Sequence, residues 1–144
     1  MTLKSSTGLK NGLLVTGSLK SLLDLGKIRI FSGPIPADAD AAETGTLLCA
    51  ISNAGTATGV TFATTATAGA VTKNSSETWS GTNVAGGTAT YFRFVANGDG
   101  GGVSTTDKRL QGTVGLAGAD MNLSSTTLTS GAPQTIDYFS ATVL

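Results

Sequence analysis

The alternation of apolar and polar side chains is clearest between residues 27 and 51. Ile28 and Ile30 alternate with Lys27 and Arg29, the period-two pattern of a half-buried strand, and Gly33-Pro34 ends it. A second run sets Leu47, Cys49 and Ile51 against Leu48 and Ala50, so both of its faces are apolar and it belongs in the interior of a sheet. Pro34 and Pro36 stiffen the connection, and residues 38–43 (DADAAE) are expected to form one helical turn before Thr44-Gly45 reverses the chain.

Upstream the period changes. Residues 7–25 carry Leu9, Leu13, Leu14, Leu19, Leu22, Leu23 and Leu25, with spacings of three and four among them, which predicts one or two short helices interrupted at Gly17. Ser18 is placed to cap the second, and Gly26 to end it in a left-handed conformation. Helices this short are unstable alone in water, so residues 1–26 form an arm that must dock on the body, residues 27–144, or on another chain.

Downstream, strand patterns recur at residues 59–63, 70–72, 77–82, 88–97, 110–115, 121–129 and 134–143. In the strongest, TATYFRFVAN, Phe92, Phe94 and Ala96 form a core row and Tyr91, Arg93 and Val95 an amphipathic one. In the last, Phe139, Ala141 and Val143 share a face opposite Ile136 and Tyr138. About eight strands with glycine-rich turns and no strand–helix alternation predict an all-β fold. The expected architecture is an antiparallel β-sandwich, jelly-roll-like, with a short helical N-terminal arm.

Composition sharpens this picture. Gly contributes 20 of 144 residues and only 12% are charged, which favours turns and strands and a surface covered by neighbours in an assembly. The formal net charge of zero hides an asymmetry: residues 1–29 hold five basic side chains and one acidic, the remainder four basic and eight acidic. A basic arm is either an anchor on an acidic protein surface or only a solvated face, and its lysines are too sparse and too free of aromatics to track nucleic acid. The candidate partner-binding residues are therefore Lys4, Leu9, Lys10, Leu13, Lys20, Arg29 and Arg93. The longest apolar run near the start is Leu13, Leu14, Val15, too short for a signal or membrane span, so synthesis in a cytoplasm and no membrane contact are expected.

Candidate chemistry is sparse. The chain has no histidine, no Gly-x-Ser-x-Gly elbow, no phosphate-binding loop and one cysteine, Cys49, expected as a small buried hydrophobe. No catalytic residue, metal ligand or cofactor is assigned. Asp38, Asp40 and Glu43 are read as a capped, solvated turn rather than a Ca²⁺ loop, and Asp99 in NGDGGG as part of a hairpin turn. Trp79, Tyr91 and Tyr138 would make a sugar-stacking platform if exposed together, the alternative being core or interface anchors. A glycosidase would need two acids on opposite sides of a cleft.

Three segments, RIFSGPIPADADAAETGTLLCAI, TATYFRFV and LQGTVGLAGADMNLSSTTL, resemble a group of small structural proteins encoded among the virion genes of tailed bacteriophages. Tyr91 stands where that group often has Trp, and Met121 where it has Leu. The resemblance implies a capsid decoration, or cement, protein on the outer capsid surface of a virion, with the major capsid protein and further copies of itself, as a dimer or trimer, for partners. A tail- or fibre-associated β-sandwich that binds host carbohydrate is the alternative. The resemblance carries no catalytic residues over.

Overall fold

The structure, a computed structural model, describes residues 3–142, so Val143 lies outside the described residues. In chain order the elements are β1 (Lys4–Ser5), α1 (Thr7–Val15), α2 (Leu19–Leu23), β2 (Lys27–Ser32), β3 (Thr46–Asn53), β4 (Phe62–Thr67) and β5 (Ala70–Lys73). There follow β6 (Trp79–Thr82), β7 (Gly87–Thr88), β8 (Tyr91–Val95), β9 (Arg109–Gly115), β10 (Met121–Asn122), β11 (Thr127–Leu128), β12 (Pro133–Ile136) and β13 (Ser140–Thr142). Eight of these strands are four residues or longer; the other five, of two or three residues, are too brief for periodicity to reveal.

The fold is mostly β, with antiparallel sheets and a short helical N-terminal region, in a sandwich-like arrangement. The main sheet runs β1-β9-β8-β2-β3-β6-β12, with β10 added parallel to β9. A three-stranded sheet, β13-β5-β4, and a ribbon, β11-β7, complete it. β2 is paired on both edges, Ile28 with Ile51 and Phe94, Ile30 with Cys49 and Phe92, so the first strand legible in the sequence is an interior strand of the main sheet. β3 is also interior, but its alternation is broken by a bulge opposite Ile30/Phe31, which buries the neighbours Leu48 and Cys49 together.

Aromatic rings join the two sheets. Trp79 on β6 and Phe94 on β8 meet Phe62 at the start of β4, with Phe62 stacked on Phe94 at 5.2 Å between ring centres. Phe139, just before β13, packs edge-on against Phe92 at 5.6 Å and tilts against Trp79 at 5.9 Å. Such pairs add about 0.5–1.5 kcal/mol each beyond the area they bury.

The arm shares this core. Leu9, Leu19 and Leu23 pack in the same cluster as Phe92 and Phe94. Ser18 caps α2 in a reciprocal capping box with Ser21. The left-handed residue after α2 is Leu25 (φ 66°), one earlier than expected; Gly26 is needed instead because a Cβ there would lie 2.1 Å from the Val95 carbonyl oxygen. Residues 38–43 form no helical turn: 38–41 are bends and 42–43 irregular, because the Asp38 carboxylate accepts the backbone N–H groups of Asp40 and Ala41 and holds the chain in local turns.

Candidate functional site

Register places Lys4, Gln111, Arg93 and Arg29 in one row across β1, β9, β8 and β2, on the sheet face opposite the aromatic core. Residues 33–45 cross this row as a strap. The Gln111 amide donates to the Pro36 carbonyl (2.9 Å), Arg93 to the Asp38 carbonyl (3.2 Å), Arg109 to the Ala39 carbonyl (3.2 Å) and Lys4 to the Ala37 carbonyl (2.8 Å). Arg29 pairs with Glu43 at 2.8 Å and donates to the Asp99 carbonyl, while the Tyr91 hydroxyl bridges the Thr44 N–H and C=O. With Phe92 and Phe94 in the aromatic core and the strap on the other face, every residue of β8 is buried, so Tyr91, Arg93 and Val95 are core rather than an open amphipathic face.

The strongest charge pair lies beneath the strap. Arg109 Nε donates to Asp99 at 2.6 Å and Nη2 to its other oxygen at 2.8 Å, a two-pronged pair with both side chains out of solvent. Burial pushes the Asp99 carboxyl up, but the Arg109 hydrogen bonds, the Gly101 N–H and the charges of Arg109 and Arg29 together hold it below the ordinary carboxylate range. Asp99, expected to serve only a hairpin turn, is thus the buried anchor of a 13-residue connection between β8 and β9. Gly101 (φ +86°) closes this loop, and a Cβ on it would lie 2.3 Å from a Glu43 carboxylate oxygen.

The arm is held to the same region. The Ser6 hydroxyl caps α1 by accepting Leu9 N–H, accepts Arg109 N–H at 2.9 Å and donates to the Asp107 carbonyl. Asp40 accepts both the N–H and the hydroxyl of Thr7, at 2.7 and 2.6 Å, and these two bonds hold its carboxyl below the usual value. The Ser6 cap on Leu9 is local, but its Asp107 and Arg109 partners lie about a hundred residues away and no periodicity in the sequence marks them.

The predicted partner-binding residues therefore separate. Leu9 and Arg93, expected at a surface, are fully buried. Lys4, Lys20 and Arg29 spend their charge internally, Lys20 on Asp24 and the Phe62 carbonyl. Leu13 is half-buried against the core, and Lys10 is exposed with no hydrogen-bond partner among the described residues. Beyond them α1 presents Leu14 and Val15, 80% and 87% exposed. Lys10, Leu13, Leu14 and Val15 thus form the outward part of the arm. Leu14 was visible in the sequence as one apolar position among seven, with no sign that it faced out.

The other candidate groups are also placed. Cys49 is buried, which pushes its thiol up to about 11 and makes it unreactive near neutrality. Trp79 and Tyr91 are fully buried, so a stacking platform built on them does not form; Tyr138 is 69% exposed. Among the described residues no three His, Cys, Asp or Glu side chains gather where they would hold a metal ion, and no helix is long and apolar enough to cross a membrane. Comparison with protein-family models, with curated proteins and with solved structures found no match.

Proposed function

We propose that this chain is a bacteriophage capsid decoration, or cement, protein that bridges and stabilises adjacent major capsid protein subunits on the outer surface of the virion. One observation carries the reading: α1 buries Leu9 in the core while holding Leu14 and Val15, 80% and 87% exposed, on the side away from it, next to Lys10. Two adjacent aliphatic side chains on a helix that is itself locked down make a rigid apolar knob, already ordered before it docks. The resemblance of three segments to small virion proteins supports the same reading, as does a body many of whose charges are engaged within the chain.

A stable contact buries about 1,000 Å² or more, so the knob is the centre of an interface whose remainder comes from the charge-poor β surface. Several such contacts per subunit multiply through effective concentration, which lets modest interfaces hold a shell joint closed. With a net charge of zero, neighbouring copies repel one another little, and a dimer or trimer on the shell fits that balance.

The test is co-sedimentation with shells from which endogenous copies have been released. Wild-type chain should pellet in fixed ratio to the shell protein, and a Leu14→Ser/Val15→Ser variant should stay in the supernatant with its unfolding midpoint unchanged. A wild-type chain that never pellets, or a double variant that pellets equally well, removes the proposal.

A further inference from the structure

Eight of the nine carboxylates in the chain are committed to the chain itself. Asp24, Asp38, Asp40, Glu43, Glu77, Asp99, Asp107 and Asp120 each accept a hydrogen bond from a side chain or backbone N–H. Asp137 is the exception: it has no hydrogen bond or ion pair among the described residues, and it lines a cleft of about 310 Å³ between residues 119–124 and 135–140. That volume sits at the small end of the roughly 300–1,000 Å³ of small-molecule sites.

The cleft is built rather than incidental. Three of its lining residues, Met121, Leu123 and Phe139, are 2%, 5% and 1% exposed and belong to the hydrophobic core, which ties both sides of the cleft to it. Asp120 is oriented by the N–H and hydroxyl of Thr113 on one oxygen, at 2.9 and 3.1 Å, leaving the other oxygen unused. Asn122 spends its carbonyl on the Ala119 N–H and keeps its amide donors free. At the rim stands Tyr138, 69% exposed, an aromatic ring that the core does not use.

We propose that this cleft binds a neutral saccharide. Carboxylate oxygens accept from sugar hydroxyls, the Asn122 amide donates to them, and the Tyr138 ring offers an apolar face to the C–H side of a pyranose. No Lys or Arg lines the cleft, and two carboxylates do, so sialylated or sulfated sugars are repelled. The site shares no residue with α1, and its success or failure is independent of particle binding.

Full-length protein presented to an array of glucose-, galactose- and N-acetylglucosamine-terminated glycans, with sialylated and sulfated glycans alongside, tests it; NMR titration then measures affinity. Neutral glycans should bind and anionic ones should not. Tyr138→Ala should weaken binding by about tenfold or more, as loss of a central aromatic contact does, and Asp137→Asn should weaken it less. Both side chains are exposed, so neither variant should shift the unfolding midpoint. The proposal is overturned by no binding of any neutral glycan at millimolar sugar, by equal binding of the anionic ones, or by variants that bind as wild type does.

Discussion

Arg93 and Arg109 project from the same face of neighbouring strands and are both fully buried, yet their removal should have different consequences. Arg109 neutralises Asp99, so Arg109→Met strands a buried carboxylate and should cost about 3–5 kcal/mol. Arg93 is held only by neutral acceptors, the Gln111 amide oxygen and the Asp38 carbonyl, and burial followed by the nearby Arg109 charge pushes its pKa down. Arg93→Met gives up those bonds but also the cost of burying a charge, and should stay within about 2 kcal/mol of wild type. Urea midpoints at constant m value separate the two outcomes. Acid should act through Asp99 and Asp40, whose carboxyls are both held below the ordinary range in the folded state. The unfolded chain then binds more protons than the folded one, so this stabilisation is complete above the unfolded carboxyl value of about 3.9 and is lost as pH falls through the lower folded values. Unfolding free energy measured from pH 6 to pH 2 should fall on that limb, and Asp40→Asn should flatten part of it.

The arm and the strap are the elements that decide whether this chain folds. Leu9, Leu19 and Leu23 are core residues, and truncating a buried leucine costs about 2–5 kcal/mol. Three together match the whole stability of an ordinary domain, about 5–15 kcal/mol, so a chain beginning at residue 27 should show no cooperative unfolding transition by circular dichroism. Point changes in α1 are therefore the way to probe docking. Two turns offer the opposite effect. Ala54-Gly55 and Ala68-Gly69 each place both residues at positive φ, as type I′ turns require, with Ala where Asn is the common occupant. Ala54→Asn and Ala68→Asn should each raise stability by up to about 1 kcal/mol, read from thermal midpoints. The same elements show what periodicity conveys. β2 and the capped α2 were legible because each buries a face on its own local period, and β8 through its core row of Phe92 and Phe94, although its other face is buried as well. The strap was not, since its contacts are side chains meeting backbone carbonyls up to 75 residues away, and the bulge in β3 leaves no mark on composition. Helical turn chemistry in DADAAE yielded to the Asp38 carboxylate, which the sequence shows only as another acid.

At the scale of the whole molecule, part of the basic excess near the start turns inward: Arg29 pairs with Glu43 of the strap and Lys4 donates to the Ala37 carbonyl, while Thr7 donates to Asp40. Of the five basic side chains in residues 1–29, which suggested an electrostatic anchor, Lys4, Lys20 and Arg29 are thus engaged within the chain. Of the nine basic side chains only Lys10, Lys27 and Lys108 lack an internal hydrogen bond among the described residues, and of these Lys10 alone stands on α1. The proposed docking through Leu14 and Val15 should accordingly be apolar in its energetics. Raising NaCl from about 50 to 500 mM shortens the screening length several-fold and would abolish an electrostatic grip, but should change the dissociation constant for shells by less than about threefold. Lys10→Ala should slow association without hastening release, as loss of a rim charge does, whereas Leu14→Ser should hasten release by about tenfold. Binding that collapses with salt, with Leu14→Ser inert, would move the interface from α1 to the remaining lysines; surface-plasmon kinetics on immobilised shells distinguishes the two in one series.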